Sequence, residues 1–146
     1  YYMYGDSYLK YPNLPNEYSE SERDIIWSDL LKIFDLLLEN GKTIYFVVQP
    51  PELPLYMEQM VFWQKKEEKF IRGAKRERWD KRNSYVFNKL GGIPKQVKIV
   101  NPTEIFCDTK YCYGSDDKGY LYFDDNHVSM HGASVIVEKG ILKAEH

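Results

Sequence analysis

The sequence predicts an α/β domain organised around a parallel sheet, and three observations predict it. A helical apolar stripe precedes an unbroken β-branched run, and a second helical stretch precedes a second short apolar run. That helix, strand, helix, strand order is how right-handed βα winding builds parallel strands. The length of 146 residues fits one compact domain, and the hydrophobic fraction of 43% supplies it with a core.

Composition also sets exclusions. A disordered tail, a collagen-like fibre and a disulfide miniprotein do not fit it. Lys and Arg number 20 against 22 Asp and Glu, so a net charge of −2 directs the chain toward neither nucleic acid nor a membrane surface. Apolar runs such as residues 44–48 are far too short to cross a bilayer, and no signal peptide is visible. Aromatic residues make up 16%, with 13 Tyr. Such an excess fits ordinary amphipathic packing, a polar-edged core or a carbohydrate-contacting surface.

Residues 1–18, rich in Tyr, Pro and Asn, read as loop. Ser19 and Glu22 then form a capping-box signature. Ile26, Leu30, Ile33, Phe34, Leu37 and Leu38 follow as one helical stripe, and Asn40-Gly41 ends it. Residues 43–48 form a continuous run bounded by Gly41 and Pro50-Pro51, which predicts a strand covered on both faces. Residues 57–90 read as helical with Gly73 as a possible break, and residues 96–100 as a second short strand before Pro102. Two strands make a poor parallel sheet. The missing ones are either hidden in the loop-like segments or, as is preferred, lie before Tyr1, since the chain starts Tyr1-Tyr2 without an initiator Met and reads as part of something longer.

Three segments could carry chemistry. Residues 65–82 hold nine Lys or Arg, with Phe70 and Trp79 among them, a pattern that could track nucleic acid. Glu67, Glu68, Glu77 and Asp80 are interleaved at helical ion-pair spacing, which favours a solvated amphipathic helix. Cys107 and Cys112 are separated by four residues and lack the further ligands of a metal site, leaving a local disulfide or free thiols. A disulfide would imply an oxidising compartment. Asp124 and His127 stand three apart, between a short apolar strand at residues 120–123 and a helix expected at 131–139. One turn of chain can fold that carboxylate onto that imidazole and fix its tautomer. A histidine capping a turn or packing on an aromatic would show the same spacing.

The block from Tyr122 to Ala133, with Asp124, Asp125, His127, Ser129 and Gly132, resembles the C-terminal block of SGNH hydrolases. It is most like the SGNH domain fused behind the acyltransferase-3 module of bacterial surface-polysaccharide O-acetylases. Cys107, Cys112 and Gly119 match the loop that precedes this block, and Val128 replaces the usual Leu. Upstream, Asn40 to Glu52 resembles the helix end, strand and Pro-Glu loop of the same domain.

The resemblance implies a three-layer α/β/α, flavodoxin-like parallel-sheet domain, here a single domain or the C-terminal portion of one, incomplete at its N-terminal side. It implies acyl transfer or ester hydrolysis of O-acetyl type on a cell-envelope glycan. His127 would be general base and then acid, Asp124 its orienting carboxylate, and a Ser the acyl carrier. Gly5-Asp6-Ser7 has the letters of the nucleophile motif and makes Ser7 a candidate. Its context differs, because only Tyr1 to Tyr4 precede it and no helix follows directly, so an upstream Ser is the competing expectation. No metal or cofactor is called for. The expected partners are a glycan or acylated small substrate and a membrane acyltransferase module, and no nucleic acid. The expected location is periplasmic or otherwise extracytoplasmic, including as part of an inner-membrane protein. The alternative is a non-catalytic module that binds or presents glycan to such a membrane partner.

Overall fold

The computed structural model describes residues 19–145, so the loop expected at residues 1–18 and the candidate Ser7 lie outside the described residues. In chain order the elements are α1 (Glu20–Glu39), β1 (Tyr45–Val47), α2 (Met57–Trp63), β2 (Arg72–Lys75), α3 (Arg76–Arg82) and α4 (Ser84–Lys89). Then come β3 (Lys98–Val100), α5 (Thr103–Phe106), β4 (Tyr111–Tyr113) and α6 (Met130–Ile136). β1 pairs with β3, and β2 with β4. The Lys98 N–H donates to the Ile44 carbonyl at 2.9 Å and the Val48 N–H to the Val100 carbonyl at 2.9 Å, so both strands ascend together and β1–β3 is parallel. Along the chain helices alternate with strands, except where α3 and α4 follow each other, the order of an α/β chain.

The described residues cluster into two compact units, one of residues 19–46 with Asp80–Lys98 and one of Val47–Trp79 with residues 99–145. In the first, α1 begins at a reciprocal capping box. The Glu22 N–H donates to Ser19 Oγ at 3.3 Å, and the Ser19 N–H donates to Glu22 Oε2 at 2.8 Å. Gly41, with φ of 67°, takes the left-handed conformation that ends the helix. The buried face of α1 is rotated from the expected stripe: Trp27 and Phe34 are buried, while Ile33 and Leu37 are exposed. The cause is aromatic packing, since both rings meet Phe46 edge-on, at 6.3 and 5.5 Å between centroids. Tyr85 of α4 donates to Asp24 of α1 at 2.8 Å, and burial together with that carboxylate pushes its phenol up to about 12.

In the second unit the helix expected across residues 57–90 is replaced by α2, a loop, β2 and the start of α3. β2 and β4 run antiparallel with a bulge between Arg72 and Lys75. Gly73 marks a close approach and not a helix break, because a Cβ there would clash with the Cys112 carbonyl and with Leu53. Residues 65–75 are therefore not the amphipathic helix that their charges suggest. Arg72 still pairs with Glu68 at 3.2 Å, but Lys69 reaches Asp117 at 2.6 Å and Arg76 reaches Glu104 at 2.8 Å, both distant in sequence. Trp79 is fully buried and donates its indole N–H to Thr103 Oγ1 at 2.9 Å, so it offers no face for base stacking.

Smaller differences follow the same logic. The run at 43–48 forms a strand only over Tyr45–Val47, with Ile44 and Val48 buried and Val47 exposed. Residues 120–123 form no ladder and are held by single bridges, Ser115 to Tyr120 and Tyr122 to Val128. The last helix starts at Met130 and passes into a π-turn over Val137–Ile141.

Cys107 and Cys112 are joined in a disulfide, and among the described residues no cysteine is free. The Asp108 carboxylate organises the same loop, accepting from the Lys110 N–H at 2.6 Å, the Tyr111 N–H at 2.7 Å and the Tyr113 hydroxyl at 2.6 Å. Those donors, Tyr113 first, bring its pKa down to about 2. Closing so short a loop limits the stabilisation to about 2 kcal/mol. Replacing both cysteines by serine should lower the unfolding free energy by about that amount in urea titrations, and reducing the native protein should do the same.

Candidate functional site

The segment between β4 and α6 holds Asp124 and His127, and its backbone is tied at several points within the second unit. The Leu121 N–H donates to the Gly114 carbonyl at 2.8 Å, and the Ser129 N–H donates back to the Leu121 carbonyl at 2.9 Å. Ser129 also starts α6: its hydroxyl donates to the Tyr120 carbonyl at 2.6 Å and accepts from the Gly132 N–H at 3.0 Å. Gly132 lies so near the Leu121 carbonyl that a Cβ would collide with it. Leu121 and Tyr122 are buried, with Tyr122 edge-on against Phe106 at 5.8 Å. Phe123 turns outward and is 79% exposed, and Met130 across the turn is 86% exposed.

At the tip, Asp124 Oδ2 lies 2.7 Å from His127 Nδ1. The other carboxylate oxygen, Oδ1, accepts from the Asn126 N–H at 2.9 Å and from the His127 N–H at 2.7 Å. The Phe123 N–H donates to the His127 carbonyl at 2.8 Å and closes the turn. One oxygen thus fixes the backbone and the other fixes the ring. With Asp124 ionised, Nδ1 carries the proton that faces the carboxylate, and Nε2 is left as the basic nitrogen. The His127 side chain is 74% exposed and that of Asp124 only 27%.

Electrostatics follow this geometry. Partial burial acts to raise the Asp124 pKa, but the Asn126 and His127 amides and the imidazole outweigh it and hold the carboxyl below its ordinary 3.8. Hydrogen bonding to Asp124, then its negative charge, lifts His127 above the ordinary 6.5. The stabilisation from His127 is complete below its unfolded value and fades as pH rises through the folded one. That from Asp124 is complete above its unfolded value and fades as pH falls through the depressed one.

A second layer supports the tip. The Leu53 N–H, from the Pro50-Pro51-Glu52 loop, donates to the Asp125 carbonyl at 2.7 Å. Glu52 is buried beside it and accepts from Gln49 Nε2 at 2.8 Å. Burial, and secondarily the charge of Glu52, hold the Tyr122 phenol well above its ordinary value. The Pro-Pro-Glu run assigns Glu52 no role from sequence alone, and nothing local links Asp116 to His131, whose Nε2 lies 2.7 Å from Asp116 Oδ1.

Two serine hydroxyls in this region have structural partners: Ser129 caps α6, and Ser115 Oγ accepts from the Ile71 N–H at 2.8 Å. Among the described residues no three His, Cys, Asp or Glu side chains converge as a metal-ligand set. No helix among them is long and apolar enough to cross a membrane.

Titrating the imidazole carbons by NMR should give a His127 midpoint above 6.5, falling toward 6.5 in Asp124→Asn. An unchanged midpoint in that variant would mean that the carboxylate does not hold the ring.

A family model for SGNH domains of the kind fused to AT3 domains matches residues 1–139. No match was found among curated proteins or among solved structures.

Proposed function

Since this chain belongs to the SGNH family, among the domains that occur fused to AT3 domains, we propose that it works in O-acyl transfer or ester hydrolysis on a cell-envelope glycan, with Asp124 and His127 as the orienting and proton-transferring residues. The family points to acyltransferase- or esterase-type function, and its AT3-fused domains are in general extracytoplasmic. The reading is carried above all by the 2.7 Å contact from Asp124 Oδ2 to His127 Nδ1, which leaves Nε2 of an exposed imidazole as the base.

In the proposed reaction a serine hydroxyl gives its proton to His127 Nε2 while its oxygen attacks the ester carbonyl. The ester C–O bond breaks, the imidazolium returns the proton to the departing alkoxide, and an acyl-serine remains. Water or a glycan hydroxyl then attacks, passes its proton to Nε2, and the serine is regenerated. Asp124 stabilises the imidazolium in both halves without itself taking the proton. Within this chain the candidate nucleophile is Ser7, of Gly5-Asp6-Ser7. A periplasmic location and a membrane acyltransferase module as working partner belong to the same reading, and the Cys107–Cys112 disulfide suits an oxidising compartment.

A second reading, a glycan-binding or glycan-presenting module without turnover, draws on Tyr120 and Phe123, exposed on the same loop as His127. The two separate on reactivity. A serine-directed fluorophosphonate should label the full-length protein at one site, and His127→Ala should abolish labelling. The same variant should lower kcat/KM for a simple acetyl ester by at least about 10³-fold. Glycan binding without labelling, or hydrolysis indifferent to His127→Ala, would favour the binding module.

A further inference from the structure

We propose that Asp116 and His131 form a positioning pair that closes the loop bearing Asp124 and His127 and so sets the register between those two side chains. His131 is the second residue of α6, and its Nε2 lies 2.7 Å from Asp116 Oδ1, fifteen residues earlier. Everything the site uses from its own loop lies between these two residues. Asp116 is itself fixed, because the same Oδ1 accepts from the Lys118 N–H at 2.8 Å and the Gly119 N–H at 3.1 Å, while the Asp116 N–H donates to the Gly119 carbonyl at 3.0 Å. Gly119 lies against the ring, where a Cβ would sit 3.7 Å from His131 Cδ2, at ordinary contact distance.

The pair resembles Asp124–His127 in chemistry but differs in which nitrogen it uses. His127 engages its carboxylate through Nδ1 and leaves Nε2 outward, whereas His131 commits Nε2 to Asp116. The His131 and Asp116 side chains are 27% and 31% exposed, against 74% for His127. His131 is thus placed to hold the loop and not to meet substrate.

The pair adds a side-chain tie between the two ends of the loop to the backbone bonds and Ser129 cap near its root, the Lys69–Asp117 ion pair, and the Leu53 N–H bond to the Asp125 carbonyl at its tip. A side-chain contact between the two ends removes the loop-closure freedom that would let the tip slide along α6. A shift of about 1 Å is enough to break a charge-assisted contact of the Asp124–His127 kind.

The inference rests on Asp124 and His127 being the working pair, but its readout needs no turnover and so stands apart from whether an ester is hydrolysed. In the full chain, His131→Ala should bring the His127 imidazole midpoint down toward about 6.5 and speed hydrogen exchange at the Ser129 amide. His131→Gln, whose amide can still donate to Asp116, should restore the wild-type midpoint, a rescue that simple packing would not produce. If the alanine variant does not fold, His131→Phe fills the space without a donor and should give the same downward shift. A folded Ala or Phe variant with the wild-type His127 midpoint would overturn the proposal, as would a Gln variant that behaves like Ala.

Discussion

One short contact organises the candidate site: a carboxylate that splits its two oxygens between backbone and ring. Oδ1 of Asp124 takes two amide donors from the residues that follow it, and Oδ2 takes the imidazole. A carboxylate held only by the ring would rotate with it. The Asn126 and His127 amides prevent that rotation and also outweigh the cost of partial burial, which keeps the group ionised. The ring in turn stays exposed and is still oriented, the combination that the proposed general base requires.

The surroundings read as successive supports for that contact. Gly132 lets α6 approach the Leu121 carbonyl, and Ser129 caps the helix while tying its start to Tyr120. Leu53 reaches in from the Pro-Pro-Glu loop to the Asp125 carbonyl, so the segment after β1 buttresses the loop before α6. The Cys107–Cys112 disulfide and the Asp108 turn stiffen the hairpin that leads into the same loop. Each support is local and individually modest. Together they remove most of the freedom that a fourteen-residue excursion between Asp116 and His131 would otherwise have.

Legibility in the sequence followed the range of the interactions. The capping box at Ser19 and Glu22 and the Asn40-Gly41 stop are local, and both ends of α1 were readable from them. β1 and β3 stood out as apolar runs between Gly and Pro. Residues 65–75 look helical because their charges repeat at helical spacing, while the strand they contribute is decided by pairing with Tyr111–Tyr113, some forty residues away. Trp27 does not stand out on the α1 stripe because what it packs against, the Phe46 ring, comes from another element. At the site, Asp124 and His127 could be paired from spacing and resemblance. Asp116 and His131 could not, since neither periodicity nor motif links residues fifteen apart across an irregular loop.

The central claim, that Asp124 fixes His127 with Nε2 free to accept a proton, is tested most directly by the ring tautomer. In protein labelled with nitrogen-15, recorded above the His127 midpoint, long-range nitrogen–proton correlations distinguish the two neutral forms. A protonated Nδ1 and an unprotonated Nε2 are the result this account predicts. A ring that carries its proton on Nε2 would contradict it, because the nitrogen meant to receive the nucleophile's proton would already be occupied.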